Sequence, residues 1–206
     1  MPGQFEPIPG GGAAVALDEV EVSIIRSLAV QLLELIGPGP GGEVSDDPLA
    51  ELFAEGPSEP PADPVMRRLL PDAYGGPGAE GAEGGADGAG DAEEARAYSA
   101  EFRRFTENDL RAKKRDDALV VIRSLDAMTS AGEGGAVLKL SVEESRHWLG
   151  ALNDLRLAIG TRLEVADEDD ADLLYRLPDS DPRKPMVMAY LWLGGLQETL
   201  VGTLLG

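Results

Sequence analysis

GGAAVALDEVEVSIIRSLAVQLLELIG, residues 11–37, and GGAVLKLSVEESRHWLGALNDLRLAIG, residues 134–160, align without a gap and share eight of 27 positions. Each passes from Gly-Gly through a short apolar segment into a capping signature, then a long amphipathic run that ends on glycine. Asp18 and Ser141 stand where a side-chain oxygen accepts from the amide three residues on. Glu21 and Glu144 stand where a carboxylate reaches back to the cap's own amide. The pattern predicts strands near 13–17 and 136–140, each feeding a helix. Two such units, related as pseudo-repeats, would bring their strands edge to edge as a two-stranded ribbon beside a helical bundle. The fold class expected is all-α with a minor β-ribbon.

Working outward, the first copy is apolar almost all round from Leu28 to Ile36, as a central helix would be. The second carries the stripe Trp148, Leu152, Leu155, Ile159 and Leu163, with Leu157 nearly opposite, so that two sides are touched. PGPGGEV breaks the chain after the first unit. Asp47-Pro48 and Asp63-Pro64 each have the form of an N-cap followed by proline at the first helical position, opening LAELFAE and VMRRLL. Residues 75–94 hold no large apolar and no basic side chain, and predict a flexible loop, because burial cannot offset their ordering entropy. From Ala95 to Thr129 the period is helical. Tyr98, Phe102 and Phe105 share one face; Leu119, Ile122 and Leu125 form a second apolar run. Between them only Leu110 is large and apolar, so the middle of this helix is expected to project into solvent or to bend. An acidic helix, DEDDADLLYRL, follows. Asp181-Pro182 then starts a last helix with Met186, Tyr190, Leu193, Leu200 and Leu204 on one face. Residues 1–206 are expected to form one helical domain, interrupted by the 75–94 loop.

The net charge of −20 argues against indiscriminate nucleic-acid binding, although a local basic face could still contact DNA. The chain has no cysteine, which excludes disulfides, thiolate nucleophiles and Cys-ligated zinc. His147 is the single histidine, too few for a His-based triad, and is read as a structural residue. The expectation is no metal, no cofactor and no catalytic residue. MPGQFEPIPG lacks the basic and apolar regions of a signal peptide. Gln197, Glu198 and three glycines interrupt the apolar C-terminal segment, so no membrane span and a cytoplasmic location are expected.

Two clusters are candidate sites. RRFTENDLRAKKR, residues 103–115, holds six basic and two acidic residues, a local charge of +4. Arg103, Arg104, Arg111, Lys113, Lys114 and Arg115 could contact phosphate or an acidic protein surface, or form a solvated face balancing nearby acid. Asn153, Asp154, Arg156 and Arg162 gather polar groups on a packed helix, either as a structural network or as a ligand site. Asp167 to Asp172 lacks the glycine turn of a calcium loop and suits a helix start. The glycines at 10–12 and 132–135 lack the Lys-Ser/Thr ending of a phosphate loop.

RRLLPDAY, EFRRFTENDLRAKKR, LNDLRLAIGTRLEV and YLWLGGLQETLVGTLL together resemble the actinomycete oxidative-stress regulator family, formerly an actinobacterial family of unknown function. The resemblance covers nearly the whole chain, with the Gly/Ala/Glu loop as a variable insert. It implies a cytoplasmic transcription regulator tied to oxidative stress and cysteine-biosynthesis genes, acting with an alternative sigma factor of RNA polymerase. The lack of cysteine closes disulfide sensing to this chain, and methionine oxidation is a weak substitute. Three readings stand: a regulator binding a transcription protein, with or without DNA contact; a general interaction or scaffold domain; and, last, a carboxylate-based enzyme. A homodimer is compatible with all three.

Overall fold

Both strand-cap-helix units form in the computed structural model, which describes residues 3–38, 55–74, 88–128 and 136–205. The element order is β1 (Glu6–Pro7), β2 (Ala13–Leu17), α1 (Glu19–Ile36), α2 (Pro64–Leu69), α3 (Gly88–Asp126), β3 (Ala136–Leu140), α4 (Val142–Arg162), α5 (Glu168–Tyr175) and α6 (Lys184–Leu205). The described chain is mostly helical with one small antiparallel sheet.

β2 and β3 pair antiparallel with Val15 opposite Leu138, Ala13 opposite Leu140 and Leu17 opposite Ala136. Ala13, Val15, Leu17, Leu138 and Leu140 point inward and Val137 outward, the period-two alternation of a half-buried sheet. The ribbon has a third member: β1 pairs with β2, Glu6 opposite Ala14. Two residues give no readable periodicity, and Pro7, which lacks an N–H, is tolerated because β1 is an edge. Gly10, Gly11 and Gly12 turn the chain between β1 and β2 with φ of 92°, 89° and 93°. A Cβ at Gly12 would fall 2.1 Å from the Leu140 carbonyl oxygen, so the glycine tract serves the strand pairing.

Both capping boxes are present. Glu21 N donates to Asp18 Oδ1 at 2.8 Å and Asp18 N to Glu21 Oε2 at 2.9 Å. Glu144 N donates to Ser141 Oγ at 3.2 Å and Ser141 N to Glu144 Oε2 at 2.8 Å. The glycine ends differ. Gly37 takes φ 67° just past α1, as a stop residue does. Gly160 lies inside α4, which runs on to Arg162. There Val165 N donates to the Gly160 carbonyl at 2.9 Å and Glu164 N to Thr161 O at 3.2 Å, with Glu164 itself at φ 59°. Gly160 makes room instead: a Cβ there would meet the Tyr190 ring at 3.2 Å.

The contacts divide the chain into two compact units, residues 1–35 with 114–206, and residues 36–113. In the first, α4 and α6 share the broadest helix–helix contact. The α4 stripe Trp148, Leu152, Leu155, Ile159 and Leu163 is buried as its spacing predicts. Phe5 stacks edge-on to Trp148 with centroids 5.9 Å apart, and its amide donates to Thr199 Oγ1 at 3.1 Å. The buried face of α6 is Val187, Leu193, Leu196 and Leu200, whereas Met186 is exposed. This helix starts at Lys184, later than Asp181-Pro182 suggests, because the Asp181 carboxylate accepts from Arg183 N and holds a turn first. In α3 the buried apolar residues of this unit are Ala118, Val121 and Leu125, with Leu119 turned outward.

In the second unit, Asp63 caps α2 as expected, accepting from Met66 N at 2.9 Å, and Val65, Met66, Leu69 and Leu70 are buried. In α3 the shared aromatic face predicted from the spacing is present. Tyr98, Phe102 and Phe105 share a face, but it is the exposed one, at 52%, 46% and 60%. The inward side carries Ser99, Arg103 and Glu107. The helix also begins at Gly88, so residues 88–94 of the expected loop belong to it; Ala92, Glu93, Glu94 and Ala95 are strong helix formers. Residues 75–87, and the helix expected after Asp47-Pro48, lie outside the described residues. Among the described residues, no helix is long and apolar enough to cross a membrane.

Candidate functional site

The basic run does not lie open to solvent, as its lack of apolar partners suggests. Arg103 is 5% exposed; its Nη1 donates to Glu107 Oε2, and its Nη2 to Asp72 Oδ1 at 2.7 Å and to Leu70 O at 3.1 Å. Burial works against its charge, but the hydrogen bonds and opposite charges of Asp72 and Glu107 outweigh this and hold the guanidinium above its ordinary value. Glu107, 1% exposed, also accepts from Arg111 Nε at 2.8 Å, and Arg111 Nη1 donates to Ile36 O at 2.9 Å. In the first unit, Lys114 Nζ lies 2.6 Å from Asp154 Oδ1, with the carboxylate 3% exposed, and Arg115 Nη1 reaches Leu33 O at 3.4 Å. Leu33 and Ile36 belong to the last turn of α1, whose carbonyls lack helical partners and favour cations.

These pairs explain why the helix needs no apolar residues in its middle. Buried carboxylates at 107 and 154 demand counter-ions, and a stretch of arginines and lysines supplies them. Of the six basic candidates, Arg104 and Lys113 remain exposed. Arg104 pairs with Glu55 at 3.2 Å and sits 5.0 Å from the Phe105 ring centroid. Beside it stand the aromatic residues that share the exposed face of α3. Tyr74 lies 6.1 Å from Tyr98 and 6.4 Å from Phe102, centroid to centroid. A contiguous aromatic surface with an arginine on it has the composition of a protein-contact site. A small cavity lined by Leu70, Phe102, Arg103, Thr106 and Glu107 has room for about one water molecule.

The polar cluster on α4 splits. Asp154 is structural, through Lys114, and Arg162 is exposed. Arg156 Nη1 donates to Gln197 Oε1 at 2.6 Å, and its guanidinium stands 5.2 Å from the Tyr190 centroid. Asn153 accepts a long 3.5 Å hydrogen bond from Gln197 Nε2. His147, half-buried, places Nδ1 2.7 Å from Asp117 Oδ1, and Asp117 is 2% exposed. That pair ties α4 to α3, the structural role expected of the histidine. A Cβ at Gly150 would fall 2.4 Å from Asp117 Oδ2, so the glycine gives this carboxylate its place. Among the described residues no group of three or more His, Asp or Glu is placed to hold a metal ion.

The family described as a domain of unknown function, DUF2017, matches residues 3–204. Proteins named "Oxidative stress regulator AosR" in Mycobacterium bovis and Mycobacterium tuberculosis are 28% identical over 188 residues, 90% of this chain and 79% of theirs. A Mycobacterium leprae relative, bearing that regulator name in provisional form, is 31% identical over 186 residues, 88% of this chain and 77% of its own. No solved structure matches the chain.

Proposed function

The chain belongs to this actinobacterial oxidative-stress regulator family, and from that membership we propose that it is a non-enzymatic regulator that acts by binding another protein. The reading rests on similarity covering nine-tenths of the chain to relatives that bear a regulator's name. In finer form, it acts in the cytoplasm with an alternative sigma factor of RNA polymerase and governs genes of the stress response, cysteine biosynthesis among them. We place the contact on the outer face of α3: Tyr98, Phe102, Phe105, Arg104 and Lys113, with Tyr74 beside them. Aromatic and arginine side chains supply most of the energy of protein interfaces, and here they are exposed. Arg103, Arg111 and Lys114 are committed to internal carboxylates, which favours protein over DNA as the partner. With no cysteine in the chain, we read an oxidant signal as reaching it mainly through that partner. We also read the two strand-helix units as copies of one ancestral unit, on their eight identities and matching capping boxes.

Affinity purification from the native cell, with the bound proteins identified by mass spectrometry, tests the reading. A polymerase or sigma subunit should co-purify with the wild type and be lost from a Phe102→Ala/Phe105→Ala variant of unchanged helicity. Retention by the variant would move the interface. Partners wholly outside transcription would favour the scaffold reading.

A further inference from the structure

Among the described residues, Arg156 is a half-buried cation without a carboxylate partner. Elsewhere the chain pairs its sequestered positive charges carefully: Arg103 faces Glu107 and Asp72, Arg111 faces Glu107, and Lys114 faces Asp154. The Arg156 guanidinium makes one hydrogen bond, to the neutral amide of Gln197. Its Nε is buried and finds no acceptor. None of the described carboxylates lies within ion-pair distance of it, in a chain that carries 38 acidic residues. A charge withdrawn from water and matched only by neutral groups is under-compensated.

The surroundings hold the group in place. The guanidinium lies along the Tyr190–Gly194–Gln197 face of α6, with the Tyr190 ring at 5.2 Å. At Gly194 a Cβ would come within 3.4 Å of Nε, so the glycine keeps this bed shallow. Gly160, one turn along α4, lets Tyr190 approach. Gln197 fixes Nη1, and Asn153 meets Gln197 from the other side. Nη2 and the second N–H of Nη1 remain as a planar two-pronged donor edge. That edge matches two oxygens of a carboxylate or phosphate.

We propose that Arg156, seated on Tyr190 and braced by Gln197 and Asn153, is a binding site for a small free oxyanion. The shared chemistry is a pair of anionic oxygens. A phosphate and a small carboxylate both offer it, and separate titrations tell them apart.

The test titrates the full chain with inorganic phosphate and, separately, with succinate, at ionic strength held constant with chloride. The buried Nε–H of Arg156 gives a side-chain signal for 15N NMR, and melting temperature is followed in parallel. Saturable movement of that signal with one anion and not the other identifies the source. Arg156→Gln should abolish the saturable part of the ligand-dependent rise in melting temperature, leaving only the general salt effect. Asn153→Asp, at an exposed position, leaves the fold alone and offers the guanidinium a tethered competitor. It should weaken anion binding about tenfold, the worth of one charge-assisted pair. Phosphate also stabilises proteins generally, by exclusion from their surfaces. An equal rise in melting temperature for the wild type and both variants, with the Arg156 signal unmoved, overturns the proposal.

Discussion

Glu107→Gln tests whether the basic run is structural. The substitution keeps the shape and one acceptor oxygen but removes the negative charge that Arg103 and Arg111 share. Arg103 and Glu107 have side chains 4% and 2% exposed, so solvent cannot take over the pairing. Removing one partner of a buried pair costs about 3–5 kcal/mol. Asp72 still faces Arg103 in the variant, and Arg111 is 15% exposed, which places the loss near the lower end, about 3 kcal/mol. With a urea dependence of about 2 kcal/mol per molar, the midpoint should fall by about 1.5 M. Far-UV circular dichroism is the appropriate probe. Trp148 and Trp192 both lie in the other unit, so their fluorescence would follow that unit instead. Transitions that separate by the two probes would mean that the units unfold independently. A cycle with Arg103→Met and Glu107→Leu should give a coupling of about 1.5 kcal/mol. Glu107→Gln within about 0.5 kcal/mol of wild type, at unchanged urea dependence, would refute the buried-network account.

Three further outcomes are expected. Gly150→Ala should destabilise by about 1–2 kcal/mol in urea titration, because the added carbon displaces Asp117 from His147 by more than helix propensity returns. Glu164→Gly should raise the melting temperature, since a non-glycine residue at φ 59° carries about 1 kcal/mol of strain; an unchanged melting temperature would mean that the turn is not strained. Ser141→Ala should cost about 1 kcal/mol at neutral pH. Its pH dependence follows from Glu144, which the Ser141 amide and then its hydroxyl hold below the ordinary value of 4.5. A lowered folded pKa contributes stability that is present above 4.5 and is lost as pH falls through the folded value. The gap between wild type and variant should therefore narrow in acid, and NMR should show the Glu144 pKa move upward in the variant.

The elements that local chemistry controls were legible in the sequence. Asp18, Asp63, Ser141 and Asp167 all cap helices because a short acceptor side chain at that position has few alternatives. The strand pairing followed from matching apolar segments. The inside and outside of α3 did not, because periodicity shows which residues share a face and not where that face points. Tyr98, Phe102 and Phe105 suggest a core by hydrophobicity, yet the buried side is built from Ser99, Arg103 and Glu107, whose charges satisfy one another. The same ambiguity hid the candidate contact surface. Arg156 was legible as a polar position on a packed helix, but its lack of a carboxylate depends on residues of α6, about forty positions away.

The hydrogen bond from Phe5 to Thr199 joins groups 194 residues apart in sequence, and β2 finds β3 only after more than a hundred intervening residues. On the ribosome, the opening strands therefore wait, with Phe5, Val15 and Leu17 uncovered, until most of the chain has emerged. Residues 36–113 form a compact unit of their own, which needs neither end of the chain to complete its strand pairing. The middle of this chain can thus be native while both ends are still searching. Overall folding speed is then set by closure of the longest loop, an entropic cost that grows slowly with length and is met before the sheet returns any stability. A nascent-chain protease assay would see the first unit become resistant only after Thr199 clears the exit tunnel.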